Sequence, residues 1–320
     1  MRVLVTGGTG FLGRAVVAEL ASHGALVTAL THTRPGLSIP GADSVRRADL
    51  RHLIGLADVV NEIQPDAICH LAALATARES FAKAIEYYDV NVTGTINLLR
   101  AVEAARLKRP PKVIFASTNA VYGSGKSGAL TEDDPPNPES PYAASKLAAE
   151  QLISGYARTG AIGASILRCF NIAGATADGY GDPDQTRIIS NVIRAANGEI
   201  PHVTVNGDGS AVREFTHVLD VAEAVRLALR STEAGYGEVF NIGTGVGLSM
   251  MEVIRAGERI TGRSIEIVHR PPAHEPHTLV ANVSKARASL GWKARRSSID
   301  RILADAWKAT NRGQRQVKAR

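Results

Sequence analysis

The chain has 320 residues, 44% of them apolar and 21% charged, and carries a formal net charge of +6. This is the composition of a globular protein with room for one large or two modest domains, and no stretch nears the roughly 18 uninterrupted apolar residues of a membrane span. The positive excess comes without a Lys/Arg block interleaved with aromatics, so no nucleic-acid partner is expected, and it suits an anionic substrate.

In chain order, "RVLVT" (2–6) is a β-branched apolar run ended by glycines and predicts a buried strand. No charged-then-apolar leader precedes it, so the expected location is cytoplasmic. "TGGTGFLG" (6–13) then sets Gly7, Gly10 and Gly13 three residues apart. The first allows a tight turn, the second lets a pyrophosphate approach the backbone, and the third lets the following helix (11–24) pack close to the strand. That helix's N-terminus would face the anion. Further strands are expected at 25–31, 44–50, 66–73, 112–118 and 163–171, separated by helices at roughly 50–63, 80–105 and 141–159. Strand alternating with helix predicts a doubly wound parallel α/β sheet with right-handed crossovers. "RADL" (47–50) ends one strand with Asp49, which could accept from an adenine amino group. "HLAA" (70–73) ends the next with small residues that a cofactor could lie against.

The pattern degrades after about residue 172, where glycine and proline become dense, and one strand returns at 238–243. The expected division is a cofactor domain at 1–173 that also receives about 214–245, and a smaller domain of 174–213 and 246–320. The two cysteines, Cys69 and Cys169, sit in apolar runs and fit a reducing compartment. With no HxxxH pair among nine histidines, no metal is expected. The basic end, "NRGQRQVKAR", is expected to be solvated and disordered.

"SPYAASK" (140–146) places Tyr142 and Lys146 four apart, on one face of a helix. "FASTNAVYG" (115–123) ends a strand at Thr118, and strand ends are where doubly wound sheets hold ligands. Oxidising an alcohol by hydride transfer needs an acceptor for the hydroxyl proton. A phenol with a pKa near 10 must drop by about 3 units to serve at neutral pH, roughly 4 kcal/mol. An ammonium at about 4 Å in an effective dielectric of about 20 supplies that much. Lys146 is thus expected to make Tyr142 a phenolate, with Thr118 relaying or orienting the proton.

With these motifs, and with "HLAALATARESFAKAIEYYDVNVTGT" (70–95), "LRCFNIAGA" (167–175), "GDGSAVREFTHVLDVAEA" (207–224) and "FNIGTG" (240–245), nearly the whole chain resembles the extended short-chain dehydrogenase/reductases. Within them it is most similar to the UDP-galactose 4-epimerases. The resemblance implies a Rossmann sheet with a smaller C-terminal substrate-binding domain, and NAD-dependent epimerisation at C4 of a UDP-hexose or UDP-hexuronate through a transient 4-keto sugar. It implies catalytic roles for Thr118, Tyr142 and Lys146. It implies cofactor contacts at Gly7, Gly10, Phe11, Leu12, Gly13, Asp49, Leu50, Leu71, Ala72, Ala73 and Asn91. Substrate contacts follow at Asn171 and Arg213, whose planar fork suits a diphosphate, and at Arg270 and Glu275 in the last substrate loop. Counting from Glu275 places Leu279 beside the sugar. A homodimer pairing the helices near 80–105 and 141–159 is also implied.

Three departures stand out. Ala75 replaces a lysine common in such epimerases, and Cys169 a tyrosine. Thr31 stands where an acid usually holds the NAD ribose, and Arg34 nearby could meet a 2′-phosphate, which makes NADP the alternative cofactor and a sugar-nucleotide ketoreductase the alternative enzyme. A cofactor-binding sensor without turnover is a third reading, disfavoured by the joint presence of Thr118, Tyr142 and Lys146.

Overall fold

The computed structural model describes residues 1–32, 38–124, 128–177, 179–272 and 277–318, with side chains as far as residue 310. Its centre is a sheet of seven strands: β1 (Arg2–Thr6), β2 (Leu26–Thr31), β3 (Ser44–Arg47), β4 (Ala67–His70), β5 (Lys112–Thr118), β6 (Gly163–Cys169) and β7 (Gly237–Ile242). They lie in the order β7-β6-β5-β4-β1-β2-β3, every neighbouring pair parallel. All four residues of β4 and all seven of β6 are buried. Helices cover both faces of a parallel sheet, which is why its strands read as continuous apolar runs and not as alternation.

The helices used below are α1 (Phe11–Ser22), α2 (Leu53–Ile63), α3 (Gly94–Ala104), α4 (Pro141–Ala157), α5 (Ile188–Ala196), α6 (Val218–Ser231) and α7 (Met250–Thr261). On one face of the sheet, Val16, Val17 and Leu20 of α1 join Val221, Val225 and Leu229 of α6. On the other, Leu56 and Val60 of α2, Leu98 and Val102 of α3, and Ile153 and Ala157 of α4 form a second layer. A separate core lies toward the C-terminus: Ile189, Val192 and Ile193 of α5, Val253 and Ile254 of α7, and Ile302 and Leu303 of a last helix (Ile299–Lys318). That last helix continues into the basic end that was expected to be disordered.

The helix expected at 80–105 is broken. Short helices at Ala77–Ser80 and Ala84–Tyr88 precede a π-helical turn at Asp89–Thr93, and only then does α3 begin. Buried polar groups on this stretch, Tyr87 and Asn91, reach across to Thr76 and Leu74, and single π turns commonly mark such functional positions. The strand expected at 44–50 ends at Arg47, after Ala48 donates its N–H to the Thr31 carbonyl at 3.0 Å.

Candidate active site

The chain order reverses at β1, with β2 on one side and β4 on the other, so a crevice opens at their carboxyl ends. Gly7 turns out of β1 with φ +69°, a region costly for side-chain-bearing residues, and a Cβ there would lie 2.8 Å from Ala72 N. The loops after β1 and β4 therefore touch through backbone alone. A Cβ on Gly13 would collide with the Gly7 carbonyl, which lets α1 start directly beneath the turn. Gly10 is different: its nearest neighbour would be 3.2 Å away. It caps α1 with no side-chain bond and no acid in the first turn, leaving the N–H groups of Phe11 and Leu12 at a helix N-terminus suited to phosphate.

The cleft, of about 960 Å³, is lined by Gly7 and Gly10, by Thr31, Asp49 and Leu50, and by Leu71, Ala72 and Ala73. His32 and Arg51 line it too, and sequence reasoning missed both. Asp49 does not present a free acceptor. Arg51 reaches both of its oxygens, with Nη2 at 2.7 Å from Oδ2, and holds its carboxyl down at about 2. Arg34 lies outside the described residues.

A buried chain of hydrogen bonds sets the loop behind this cleft. Thr95 Oγ1 donates to the Asn91 carbonyl at 2.6 Å, so it accepts from His70 Nε2 at 3.0 Å. His70 Nδ1 must then accept from Thr6 Oγ1 at 2.9 Å, and that oxygen accepts from the N–H groups of Leu71 and Ala72 at 3.2 Å each. Burial, seconded by the charge of Lys146, holds His70 down at about 3, which keeps the ring neutral and the tautomer unique. Asn91 completes the support, exchanging hydrogen bonds with the Leu74 backbone at 2.9 and 3.1 Å. Of these side chains only Asn91 was singled out in the sequence, because a threonine and a histidine inside strands and a threonine inside a helix carry no local pattern.

Ser140 caps α4 through its hydroxyl and Pro141 begins it, which is the local reason the helix starts here. Tyr142, Lys146 and Glu150 follow at four-residue spacing. Thr118, the last residue of β5, is 7% exposed, accepts from Ala120 N at 3.2 Å, and its hydroxyl favours the ionised form of the Tyr142 phenol. The three catalytic candidates are thus gathered at one strand end.

Burial works against the charged forms of both Tyr142 and Lys146. Lys146 Nζ sits 4.0 Å from the Phe115 ring centroid, and burial pulls its pKa down to about 7. Burial likewise raises Tyr142, and the Thr118 hydroxyl and then the charge of Arg187 oppose that rise. Desolvation disfavours phenolate and ammonium alike. One turn on, Glu150 binds Arg168 at 2.8 Å and accepts from Ser117, beside Thr118.

A second cleft, of about 860 Å³, lies toward the C-terminal core and is lined by Asn171, Arg187, Asn206, Arg213 and Phe215. Asn171 donates to the Glu214 carbonyl at 2.8 Å, and Arg213 Nη1 donates to the Val212 carbonyl at 2.9 Å. Arg187, which lines this cleft and also acts on Tyr142, joins the two ends of the site. Arg270 is exposed and does not line the cleft, although it pairs in register with Asn206, which does. Glu275 lies outside the described residues. Leu279 is 9% exposed and packs with Tyr122 and Phe170 in a small core, so it supports the turn after Thr118 rather than gating a pocket.

A doubly wound sheet, a glycine cradle at its switch point and a Tyr-x-x-x-Lys helix beside a strand-end threonine define a nucleotide-dependent oxidoreductase-type site. The chain belongs to the NAD dependent epimerase/dehydratase family, matching it over residues 3–243. It is 34% identical over 321 residues to the UDP-glucose 4-epimerase of Lactobacillus helveticus, covering 96% of each chain. Among solved structures it superposes with TM-score 0.91 on a UDP-glucose-4-epimerase from Stenotrophomonas maltophila with bound NAD and formylated UDP-arabinopyranose, at 31% identity and 99% coverage of both chains. It superposes with TM-score 0.86 on MoeE5 in complex with UDP-glucuronic acid and NAD, at 34% identity, covering 98% of this chain and 100% of that one.

Proposed function

We propose that the protein is an NAD-dependent nucleotide-sugar 4-epimerase acting on a UDP-hexose or UDP-hexuronate. The observations that carry this are the glycine-cradled cleft at the switch point of the sheet and a second cleft lined by Arg187 and Arg213, with the charge of Arg187 acting on the Tyr142 phenol. NAD, when bound in the first cleft, supplies hydride exchange at the sugar's C4. The protein's part is proton transfer and grip. Tyr142 accepts the 4-OH proton, relayed or oriented by Thr118, and returns it to the other epimer. Arg213 and Asn171 retain the diphosphate while the 4-keto sugar turns. Cofactor binding falls to Gly7, Gly10 and Gly13, the α1 N-terminus, Thr31, and the 71–73 backbone.

The division of labour between a cofactor domain (1–173 with about 214–245) and a nucleotide-sugar domain (174–213 with 246–320) is supported by the separate core around Ile193 and Ile254. Elimination of water is disfavoured. Asn119 and Ala120 follow Thr118, and neither supplies the second acid or base such a step requires. Phe81 and Ile85, 67% and 83% exposed on the segment before the π turn, support a homodimer through the face next to α4. A cytoplasmic location is supported by two free, buried cysteines. Among the described residues no helix is long and apolar enough to cross a membrane.

The test is incubation with UDP-glucose, UDP-glucuronate and UDP-N-acetylglucosamine without added reductant, followed by NMR. The expected outcome is a near-equilibrium mixture of C4 epimers from UDP-glucose or UDP-glucuronate, with the N-acetyl sugar a poorer substrate. A 6-deoxy-4-keto product, or no reaction until NADPH and a keto sugar are added, would overturn it.

A further inference from the structure

The substrate cleft is lined by three arginines, Arg78, Arg187 and Arg213. Two have work to do within the fold. Arg187 is held by Asp182 at 3.0 Å and Asp184 at 3.1 Å, and Arg213 is anchored on the Val212 carbonyl. Arg78 is different: among the described residues its guanidinium makes no hydrogen bond and no ion pair. The adjacent acid, Glu79, is taken by Lys83 Nζ at 2.5 Å.

Its backbone, by contrast, is firmly placed. The Tyr87 hydroxyl donates to the Thr76 carbonyl at 2.7 Å and accepts from the Thr76 N–H at 3.2 Å, just before the Ala77–Ser80 turn that carries Arg78. Leu74 is held by Asn91, and the Tyr87 ring stands edge-on to Tyr142 with centroids 6.3 Å apart. A cation without a protein counterion is thus mounted on a turn braced from both the cofactor side and the catalytic side. It shares its cleft with Asn171, Asn206 and Arg213, while neither Thr118 nor Tyr142 lines that cleft. This is the end of the site remote from the reacting carbon.

We propose that Arg78 is a second guanidinium clamp on the diphosphate of the nucleotide sugar, acting beside Arg213. The inference rests on the nucleotide-sugar reading above and extends it to a residue to which the resemblance assigns no role. Arginine matches phosphate with a planar fork, and the segment's bracing removes part of the ordering cost of engaging it.

The test is calorimetric titration of NAD-loaded wild type, Arg78→Ala and Arg78→Lys with UDP and with uridine, alongside kinetics on UDP-glucose and UDP-glucuronate. Arg78→Ala is expected to weaken UDP about tenfold or more and leave uridine unchanged, as loss of charge-assisted hydrogen bonds predicts. KM should rise more than kcat falls, equally for both sugars, with partial recovery in Arg78→Lys. Unchanged UDP affinity in Arg78→Ala would overturn the proposal. So would a loss confined to UDP-glucuronate with UDP unaffected, which would reassign Arg78 to the sugar carboxylate. Wild type that binds no UDP at all would overturn the nucleotide-sugar reading together with it.

Discussion

At the residue scale the site turns on two buried groups whose charged forms burial opposes, Tyr142 and Lys146. In the proposed mechanism Tyr142→Phe removes the proton acceptor and little else. It is expected to lower kcat by about 10²–10⁴-fold while NAD and UDP still bind with near-normal affinity. Activity near wild type, read by a coupled assay, would contradict the assignment. Lys146 leads to a stability prediction whose sign follows from its shift. Its pKa falls from 10.5 to about 7 on folding, so between those values the unfolded chain holds a proton that the folded chain has released. Stability then rises with pH across that window, with a slope of up to about 1.4 kcal/mol per unit. Cys69 works the other way, its thiol raised by burial above an ordinary 9.0, and cancels the gain at higher pH. Urea unfolding of nucleotide-free protein at neutral pH and about 1.5 units higher should show wild type gaining more than about 1 kcal/mol. Lys146→Met should stay flat over the same interval.

At the scale of elements, the β1-turn-α1 unit separates what glycine does for the fold from what it does for the ligand. A methyl at Gly13 meets the Gly7 carbonyl, a backbone atom that cannot move aside. Gly13→Ala is expected to cost about 1–3 kcal/mol in denaturant unfolding, the usual range for overpacking. At Gly10 the backbone φ is −73° and the nearest atom would be 3.2 Å away. Gly10→Ala should therefore unfold like wild type but bind NAD more weakly, because its methyl projects where phosphate would approach the α1 N-terminus. Equal effects of the two substitutions on stability would show that the triplet acts as a unit. α4 has the same double character. Its Ser140 cap and Pro141 start are local, while its inner face carries Tyr142, Lys146 and the buried Glu150–Arg168 pair, all dependent on β5 and β6 beside it.

For the whole molecule, the proposed reading puts the cofactor in the cleft at the carboxyl end of β1 and the nucleotide sugar in the cleft toward the C-terminal core. The exposed apolar residues on the 77–88 segment, Phe81 and Ile85 with Tyr88 at 40% exposure, lie on the face proposed for dimerisation. Ile85→Glu is expected to shift sedimentation from dimer to monomer without changing the far-UV spectrum. A wild-type monomer would remove the dimer from the reading and leave the chemistry of a single chain intact.

The sequence by itself determined the sheet, the glycine turn, the Tyr142–Lys146 spacing and Thr118. Each rests on local physics: apolar runs, backbone that only glycine permits, a capped helix start, an i to i+4 face. Only the tertiary structure decided the rest. The Thr6–His70–Thr95–Asn91 chain joins residues up to 89 positions apart by hydrogen bonds that no periodicity encodes. The break of the 80–105 helix at a π turn follows from bonds that Tyr87 and Asn91 make to another loop. Leu279 is buried in a core and the charge of Arg187 acts on Tyr142, because electrostatics and packing depend on distance in space. The same holds for Arg78, one more basic residue in a helical stretch until the fold sets it in the cleft with Asn171 and Arg213.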